Sequence, residues 1–300
     1  MSGYLAGLLA VLAINIIVAY SVFVPAAAGL LNLGAAGFVL VGAYGAGAMT
    51  ALFGLPLWLA IILGALLAGA VAFLISFLIL RTRGIYMVLA TFAFAEVVAG
   101  VLLNIPALGG AAGLSVMAYA GLPVVVPVAL AVVVFVAWLM STRFGLSVRA
   151  IHDDESVAHL FGVNLRSTQV AAMTIGGAIG GIGGALLVHQ FNFIDVQSTG
   201  VLFSIYVLLY VLMGGTQTVW GPLFGALFFT LAPEGLRKLS ELDPALKFLE
   251  GSRYMAFGVA VVLLMMWRPQ GVITRTLIER LVGSRKPAAT DTGTGAGAAA

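Results

Sequence analysis

Cysteine is absent from this 300-residue sequence, and charged residues are scarce. Without cysteine the chain forms neither disulfide bonds nor thiolate metal sites. Asp, Glu, Lys and Arg together make up 8% of the residues, whereas 62% are hydrophobic. Soluble domains carry about 25% charged residues, so the composition places the chain in a lipid bilayer. The net charge of +3 is small and gives no sign of a nucleic-acid partner.

Sequence motifs of enzymes are missing as well. The three lysines, Lys238, Lys247 and Lys286, do not follow a glycine, so the sequence contains no Walker A loop. It contains no Gly-x-Ser-x-Gly, and its three histidines lack metal-ligand spacing on one helix. We therefore expect no enzymatic activity, no cofactor bound by this chain and no metal site. If ATP drives the protein, another chain hydrolyses it.

Long apolar runs fill most of the sequence. No charged residue precedes Arg81, and a membrane-spanning helix needs about 20 apolar residues, so this stretch has room for three spans. The predicted spans are 4–24 (ending at Pro25), 56–80, 84–104, 123–141, 168–190, 199–213, 221–233 and 254–267. We therefore predict an all-α polytopic membrane protein with about eight to ten transmembrane helices, including re-entrant or broken helices.

Two apolar segments are too interrupted to be simple spans. Residues 26–53 are rich in Gly and Ala, which favours close helix contacts or a broken helix. Residues 105–122 contain Pro106 and several glycines, a pattern typical of an outer loop or a re-entrant piece.

In the repeats Gly176-Gly180-Gly184 and Gly177-Gly181, a spacing of four lets two helix backbones approach closely.

Basic residues in short loops indicate which side faces the cytoplasm. If the loop at Arg81, the segment 143–166 and the C-terminal end share that side, it holds ten of the fourteen Lys and Arg residues. Three full crossings before Arg81 then place the N-terminus outside, and one re-entrant segment places it inside. The first apolar run has no basic residue ahead of it, so we expect a retained span rather than a cleaved signal peptide.

The most charged internal segment is 143–166, which separates two apolar runs. After Arg149, apolar and polar residues interleave at roughly helical spacing. The acidic run at 153–155 favours the start of a second short helix, and Gly162 and Asn164 favour a helix stop. We predict two short amphipathic helices that form a docking surface in water. The simpler alternative is a solvated loop.

Few other polar residues interrupt the apolar runs. Glu96 is an ionisable group inside a predicted span, which is a functional-site hypothesis by default, and Thr91 is predicted to share its face. Asn15 and Asn32 are expected to hydrogen-bond between helices. A hydrated helix end, or else a contact with substrate or a binding protein, is predicted at His189, Gln190, Asn192 and Asp195. The mixed-charge stretch 234–253 is either a solvated loop or an outer amphipathic helix.

Five stretches, in order along the chain, carry a family resemblance. They are GLLNLGAAGFVLVGAY (29–44), LRTRGIYMVLATFAFAEVV (80–98), RFGLSVRAIHDDESVAHLFGVN (143–164), LMGGTQTVWGPLFGA (212–226) and WRPQGVI (267–273). Together they resemble permeases of ABC importers of the branched-chain amino acid class, and the LivM-type subunit more than the LivH-type.

The resemblance implies a bacterial inner-membrane permease domain over residues 1–282, followed by a disordered tail at 283–300. Its implied partners are ABC ATPase subunits that use ATP, a second permease chain or a second copy, and an extracytoplasmic solute-binding protein. Coupling to the ATPase is assigned to Arg149, Ala150, His152, Asp153, Glu155, Leu160 and Gly162. The translocation path is assigned to Asn32, Gly34, Gly37, Tyr44, Thr91, Glu96, Gly180 and Gly184.

The sequence also departs from the family pattern. Leu30, Asn32 and Ala35 replace the usual Gln, Ser and His, and Leu108 replaces the Thr of an outer Thr-Gly-Gly. These changes leave the cargo open between branched-chain or other apolar amino acids and urea or short amides. Two other classes remain: an ion-coupled secondary transporter that uses Glu96 and Asp195, and a membrane scaffold that transports nothing.

Overall fold

The structure is a computed structural model that describes residues 3–242 and positions 255, 258, 259, 261, 262, 266, 267 and 271–273. The predicted tail at 283–300 lies outside the described residues, as do most of the last predicted span and the stretch from 243 to 253. Within the described part, regular structure is helical apart from one two-residue strand pairing. The prediction of an all-α polytopic membrane protein is confirmed.

Ten α-helices lie between residues 3 and 242: α1 (Gly3–Ala27), α2 (Ala35–Ala51), α3 (Leu57–Ile79), α4 (Ile85–Leu103), α5 (Leu122–Ser141), α6 (Arg143–Asp153), α7 (Glu155–Leu160), α8 (Leu165–Phe191), α9 (Val201–Gly214) and α10 (Trp220–Leu242). Five of them, α1, α3, α4, α5 and α8, are long and apolar enough to span a bilayer, whereas α2 and α9 are shorter apolar helices. The strands β1 (Leu114–Ser115) and β2 (Phe193–Ile194) pair antiparallel.

Helix α8 lies at the centre of the bundle and packs against α1, α2 and α3. Gly176 faces Pro25 near the end of α1, and Gly183 faces Val18 nearer its middle, so α1 and α8 run in opposite directions. Glycine contacts between α3 and α8 show that α3 runs in the same direction as α1. Those between α2 and α8 and between α2 and α4 show that α2 and α4 run in the same direction as α8. The first three helices therefore alternate. This alternation favours the predicted arrangement with three crossings before Arg81, in which the second crossing is the shorter apolar helix α2.

This alternation defines two ends of the bundle. We call the end that carries α6 and α7, together with the ends of α1, α3 and α5, the α6–α7 face. The other end is called the opposite face and carries the N-terminus of α1, the segment 104–121 and the β1–β2 pairing. On the opposite face, residues 105–122 form two short 3-10 turns and a strand, which fits an outer loop.

The glycine repeats act through backbone contact. A Cβ on Gly184 would collide with the carbonyl oxygen of Val39, and one on Gly42 would collide with the backbone of Gly181. Close approach of α2 and α8 therefore requires glycine on both helices, as small-residue faces allow in membranes. The Gly-rich stretch at 26–53 contains the continuous helix α2. Of the two predicted arrangements for this stretch, close helix contact is the one observed.

The predicted end of the first span at Pro25 is wrong, because α1 continues to Ala27. A proline inside a helix leaves the carbonyl four residues earlier without its partner and crowds it with the ring. Here that carbonyl belongs to Ser21, and both it and the Pro25 ring lie against Gly176. A glycine on α8 therefore makes room for the proline.

Candidate functional site

Two short helices separate α5 from α8, as predicted. Helix α6 follows α5 after Thr142, and α7 follows α6 after Asp154. The Asp154 Oδ1 accepts hydrogen bonds from the backbone amides of Ser156 (2.8 Å) and Val157 (3.0 Å). Such a cap supplies partners for amides that a helix start leaves unpaired. The acidic run thus starts the second helix, as its charge predicted.

The predicted helix stop at Gly162 and Asn164 is correct for Gly162 only. Gly162 follows the helix with φ of +81°, the left-handed conformation with which glycine commonly terminates helices. Asn164, however, does not stop a helix. Its Oδ1 accepts a hydrogen bond from the Ser167 amide at 3.1 Å and so begins α8. Asparagine is common at both kinds of helix end, and the sequence alone did not show that α8 begins here.

The inner side of α6 connects this segment to the bundle. The Arg149 Nη2 donates a hydrogen bond to the carbonyl oxygen of Met140 at the end of α5 (3.1 Å). His152 is half-buried, and its Nδ1 is buried with no hydrogen-bond partner among the described residues. Both side chains line a small gap against Phe23 of α1 and the 215–219 connection. Ala150 is half-buried on the same helix. A displacement of α6 thus reaches α1 and α5 directly.

The outer side of the segment ends in an exposed apolar surface. Leu160 and Phe161 are 85% and 84% exposed, and Val157 is also exposed. Around them the charged Asp153 and Glu155 are exposed as well. Large exposed apolar groups mark a site of interaction with another protein or with the membrane. The sequence pattern placed both Leu160 and Phe161 among the apolar residues of this segment, but only Leu160 was assigned to coupling.

Several predicted path residues come together where α2 begins. The Asn32 Oδ1 accepts a hydrogen bond from the Gly34 amide (2.7 Å), and the Thr91 Oγ1 accepts one from the Leu33 amide (3.0 Å). Ser204 of α9, which the sequence analysis did not single out, accepts one from a further α2 amide at 2.8 Å. Polar side chains from three parts of the chain therefore hold this helix start inside the bundle.

The other predicted path residues are divided between packing and the surface. Gly37 packs against the Phe94 ring, and Gly180 and Gly184 pack against α2. Tyr44 is buried, and its hydroxyl donates to a carbonyl oxygen of β2 at 3.5 Å. A role for any of these residues in the path stays a prediction.

Glu96 lies on the outer surface of α4. The prediction that Thr91 shares its face is wrong, because Thr91 is 1% exposed and Glu96 is exposed. A separation of five residues turns a helix by about 140° at 3.6 residues per turn. Glu96 is the twelfth residue of α4, about 17 Å along a hydrocarbon core about 30 Å thick. Its carboxyl group therefore lies near the middle of the membrane on the surface of this chain.

The polar cluster at the end of α8 organises the opposite face. His189 is fully buried, with Nδ1 2.6 Å from the Ala185 carbonyl oxygen and Nε2 3.1 Å from the Thr50 Oγ1. Asn192 donates to a backbone carbonyl oxygen of the 105–122 loop at 2.8 Å. Asp195 accepts from the Ser198 amide at 3.0 Å. His189 thus joins α8 to α2, Asn192 joins the end of α8 to the 105–122 loop, and the Asp195 bond is local to its own connection.

Comparison with known proteins identifies the family. A family profile described as "Branched-chain amino acid transport system / permease component" matches residues 4–267. The chain belongs to this family. It is a multi-pass membrane permease subunit of an ABC-type transport system, and the ion-coupled alternative is not favoured.

Individual relatives agree with this assignment. This permease is 27% identical to the high-affinity branched-chain amino acid transport system permease protein LivM of Escherichia coli K12, over 88% of its own length and 67% of LivM. It is 26% identical to BraD of Pseudomonas aeruginosa, over 48% and 44% of the two chains. It is 33% identical to the autoinducer 2 import permease LsrC of Photorhabdus laumondii, over 33% and 32%. No solved structure matches this chain.

Proposed function

We propose that this permease forms half of the membrane pathway of an ATP-driven importer, and that α6 and α7 are its contact with the ATPase. The observation that carries the proposal is the exposed apolar end of α7, formed by Val157, Leu160 and Phe161. An amphipathic helix of this kind fits an apolar groove on a partner, with charges to fix its register. ATP is bound and hydrolysed by that partner, and this chain binds no cofactor.

The inner contacts of α6 support a mechanical role. When the ATPase closes on ATP, it carries α7 and α6 with it. Arg149 joins α6 to the end of α5, and His152 packs against α1 and the 215–219 connection. The displacement therefore passes to helices that cross the membrane. A shift between outward-open and inward-open states needs an input of several kcal/mol, which ATP binding supplies.

Replacing Arg149 with glutamine tests this connection. The variant loses a charged hydrogen bond worth about 1.5–3 kcal/mol, so we expect cargo-stimulated ATP hydrolysis to fall by at least about tenfold. The measurement is ATPase activity of the reconstituted complex with its solute-binding protein. Arg237→Gln removes the same charge at a distance from α6 and should retain native stimulation. Native stimulation in Arg149→Gln would contradict the proposed connection.

The pathway itself is proposed to run along the outer surface of α4, against a second permease chain or a second copy. A carboxylate near the middle of a bilayer costs several kcal/mol when it faces lipid. Glu96 is exposed on this chain, so in the assembled transporter it faces either water or another subunit. Thr91 lies on the inner side of the same helix, where it accepts a hydrogen bond from the Leu33 amide in the connection before α2 that also contains Asn32 and Gly34.

Cysteine labelling tests the placement of Glu96. The native chain contains no cysteine, so Glu96→Cys gives a single reactive thiol. In a water-filled path it reacts with a charged, membrane-impermeant maleimide about tenfold or more faster than a thiol in hydrocarbon, whose pKa is raised. Leu66→Cys, on the exposed apolar surface of α3, is the matched control. Equal slow labelling of both would mean that Glu96 does not face a water-filled path and would contradict the proposed pathway along α4.

The proposed cargo is a branched-chain or other apolar amino acid, because LivM and BraD are named for that cargo. LsrC is named for autoinducer 2, so similarity within the family extends to permeases with other cargo. The proposed location is the bacterial inner membrane, with the α6–α7 face in the cytoplasm because Arg81 and Arg83 lie there. The solute-binding protein then docks on the opposite face.

A further inference from the structure

A cavity rich in arginine lies at the α6–α7 face. It has a volume of about 610 Å³ and is lined by Arg81 and Arg83 of the α3–α4 connection, Arg166 in the first turn of α8, and Glu155. Among the described residues none of these arginines has a carboxylate within 4.0 Å. The Glu155 Oε1 accepts a hydrogen bond from Gln169 at 3.3 Å. Three guanidinium groups and one carboxylate leave the cavity with two surplus positive charges.

An apolar groove between α3 and α8 continues from this cavity. Arg166 also lines a second cavity of about 570 Å³, where its guanidinium carbon lies 5.9 Å from the centroid of the Phe77 ring. That cavity shares Phe73 and Thr174 with a third one of about 640 Å³, which reaches Trp58 at the other end of α3. The three cavities therefore form one continuous groove along α3 and α8, which is positively charged at one end and apolar along its length.

The second cavity, which begins at Arg166, matches one leaflet of a membrane, and the third cavity continues the groove beyond that depth toward Trp58. From Arg166 to Thr174 the second cavity follows eight residues of α8, about 12 Å at 1.5 Å per residue. Half of a hydrocarbon core about 30 Å thick is about 15 Å. An apolar groove alone fits any apolar partner, and an arginine cluster alone fits any anion. The combination, at the depth where headgroups lie, selects an amphiphile with an anionic head.

We propose that an anionic phospholipid binds along α3 and α8, with its phosphate at Arg81, Arg83 and Arg166 and one acyl chain in the groove. Arginine forms paired hydrogen bonds with phosphate oxygens, and basic pockets between helices on the cytoplasmic side bind anionic headgroups. The bound lipid contacts the connection between α7 and α8 on one side and the α3–α4 connection on the other. It therefore fills the space behind the segment that meets the ATPase.

Native mass spectrometry of the purified transporter complex tests the site. The complex is reconstituted with equal amounts of phosphatidylglycerol and phosphatidylcholine, extracted and scored for retained lipid. We expect selective retention of phosphatidylglycerol. One basic residue near the membrane surface contributes about 1 kcal/mol to the binding of an anionic lipid, so Arg166→Gln should weaken that retention about fivefold. The additional changes Arg81→Gln and Arg83→Gln should abolish it. Arg237→Gln, far from the cavity, is the matched charge control.

A second variant separates lipid from a free anion. Ala171 lines the groove but not the arginine cavity, so Ala171→Phe blocks the acyl chain and keeps every charge. We expect it to lose phosphatidylglycerol, while added inorganic phosphate does not displace the lipid from the native complex. Equal retention of both lipids, native retention in Ala171→Phe, or displacement by phosphate would overturn the proposal. So would a crosslink from Ala171→Cys to the second permease chain.

Discussion

Replacing Leu160 and Phe161 together with serine is expected to abolish ATP-driven uptake while the permease stays folded. Both side chains are more than four-fifths exposed, so their removal takes almost nothing from the packing of this chain. At an interface, buried apolar anchors of this size cost about 2 kcal/mol or more each when truncated. Two of them together, about 4 kcal/mol, correspond to a loss of affinity for the ATPase of about 700-fold or more.

Two measurements check this result. The first is co-purification of the ATPase with the permease, and the second is uptake of radiolabelled leucine into proteoliposomes loaded with ATP. Met117→Ser removes a fully exposed apolar side chain on the opposite face and should leave ATPase binding at the native level. If the double variant binds the ATPase as the native chain does, α7 is not the contact, and the proposed coupling through α6 fails with it.

The local structure of this segment was predictable because local residues determine it. Acidic residues at a helix start and a glycine at a helix end act within one turn, so the sequence of 143–166 predicted α6, α7 and the break between them. Asn164 was misassigned because the same side chain serves at either end of a helix. Its role depends on where α8 begins, and α8 begins three residues earlier than its apolar run.

Contacts between distant parts of the chain were not predictable in detail. Asn15 was expected to bond between helices, and its Nδ2 does donate to the Thr230 Oγ1 at 3.0 Å. The partner, 215 residues away, follows only from the packing of α1 on α10. Asn32 instead bonds within its own segment. The orientation of Glu96 likewise depends on which side of α4 packs against α2, and an apolar helix carries little signal for that choice.

The glycine repeats show the same limit. Their spacing predicted close contact of helix backbones, and the contact is present. The spacing did not identify which helices approach, and the three sides of α8 meet α1, α2 and α3. The same sequence pattern is expected whether Gly180 and Gly184 line a translocation path or pack one helix against another. Substitution distinguishes them, because a path tolerates an added methyl group and a backbone contact does not.

Replacing Gly184 with valine is accordingly expected to prevent folding. Even a methyl group at this position would collide with the Val39 carbonyl oxygen and lie 2.9 Å from the Ala43 amide nitrogen. Backbone atoms on both sides leave no flexible side chain to move aside. Overpacking of this kind costs about 1–3 kcal/mol for small additions, a large part of a typical stability of about 5–15 kcal/mol. Gly184→Ala should therefore lower Tm by several degrees, and Gly184→Val should yield no monodisperse protein.

Thermal unfolding in detergent, followed by tryptophan fluorescence, measures the effect. Gly100→Ala is the matched control, since Gly100 lies inside α4 and an added Cβ meets nothing within 4 Å. Alanine is favoured over glycine inside a helix by about 0.8–1.0 kcal/mol, so this control should raise Tm slightly. Equal Tm values for Gly184→Ala and Gly100→Ala would mean that α2 and α8 separate at this point. Gly184 would then line open space, as a path residue does.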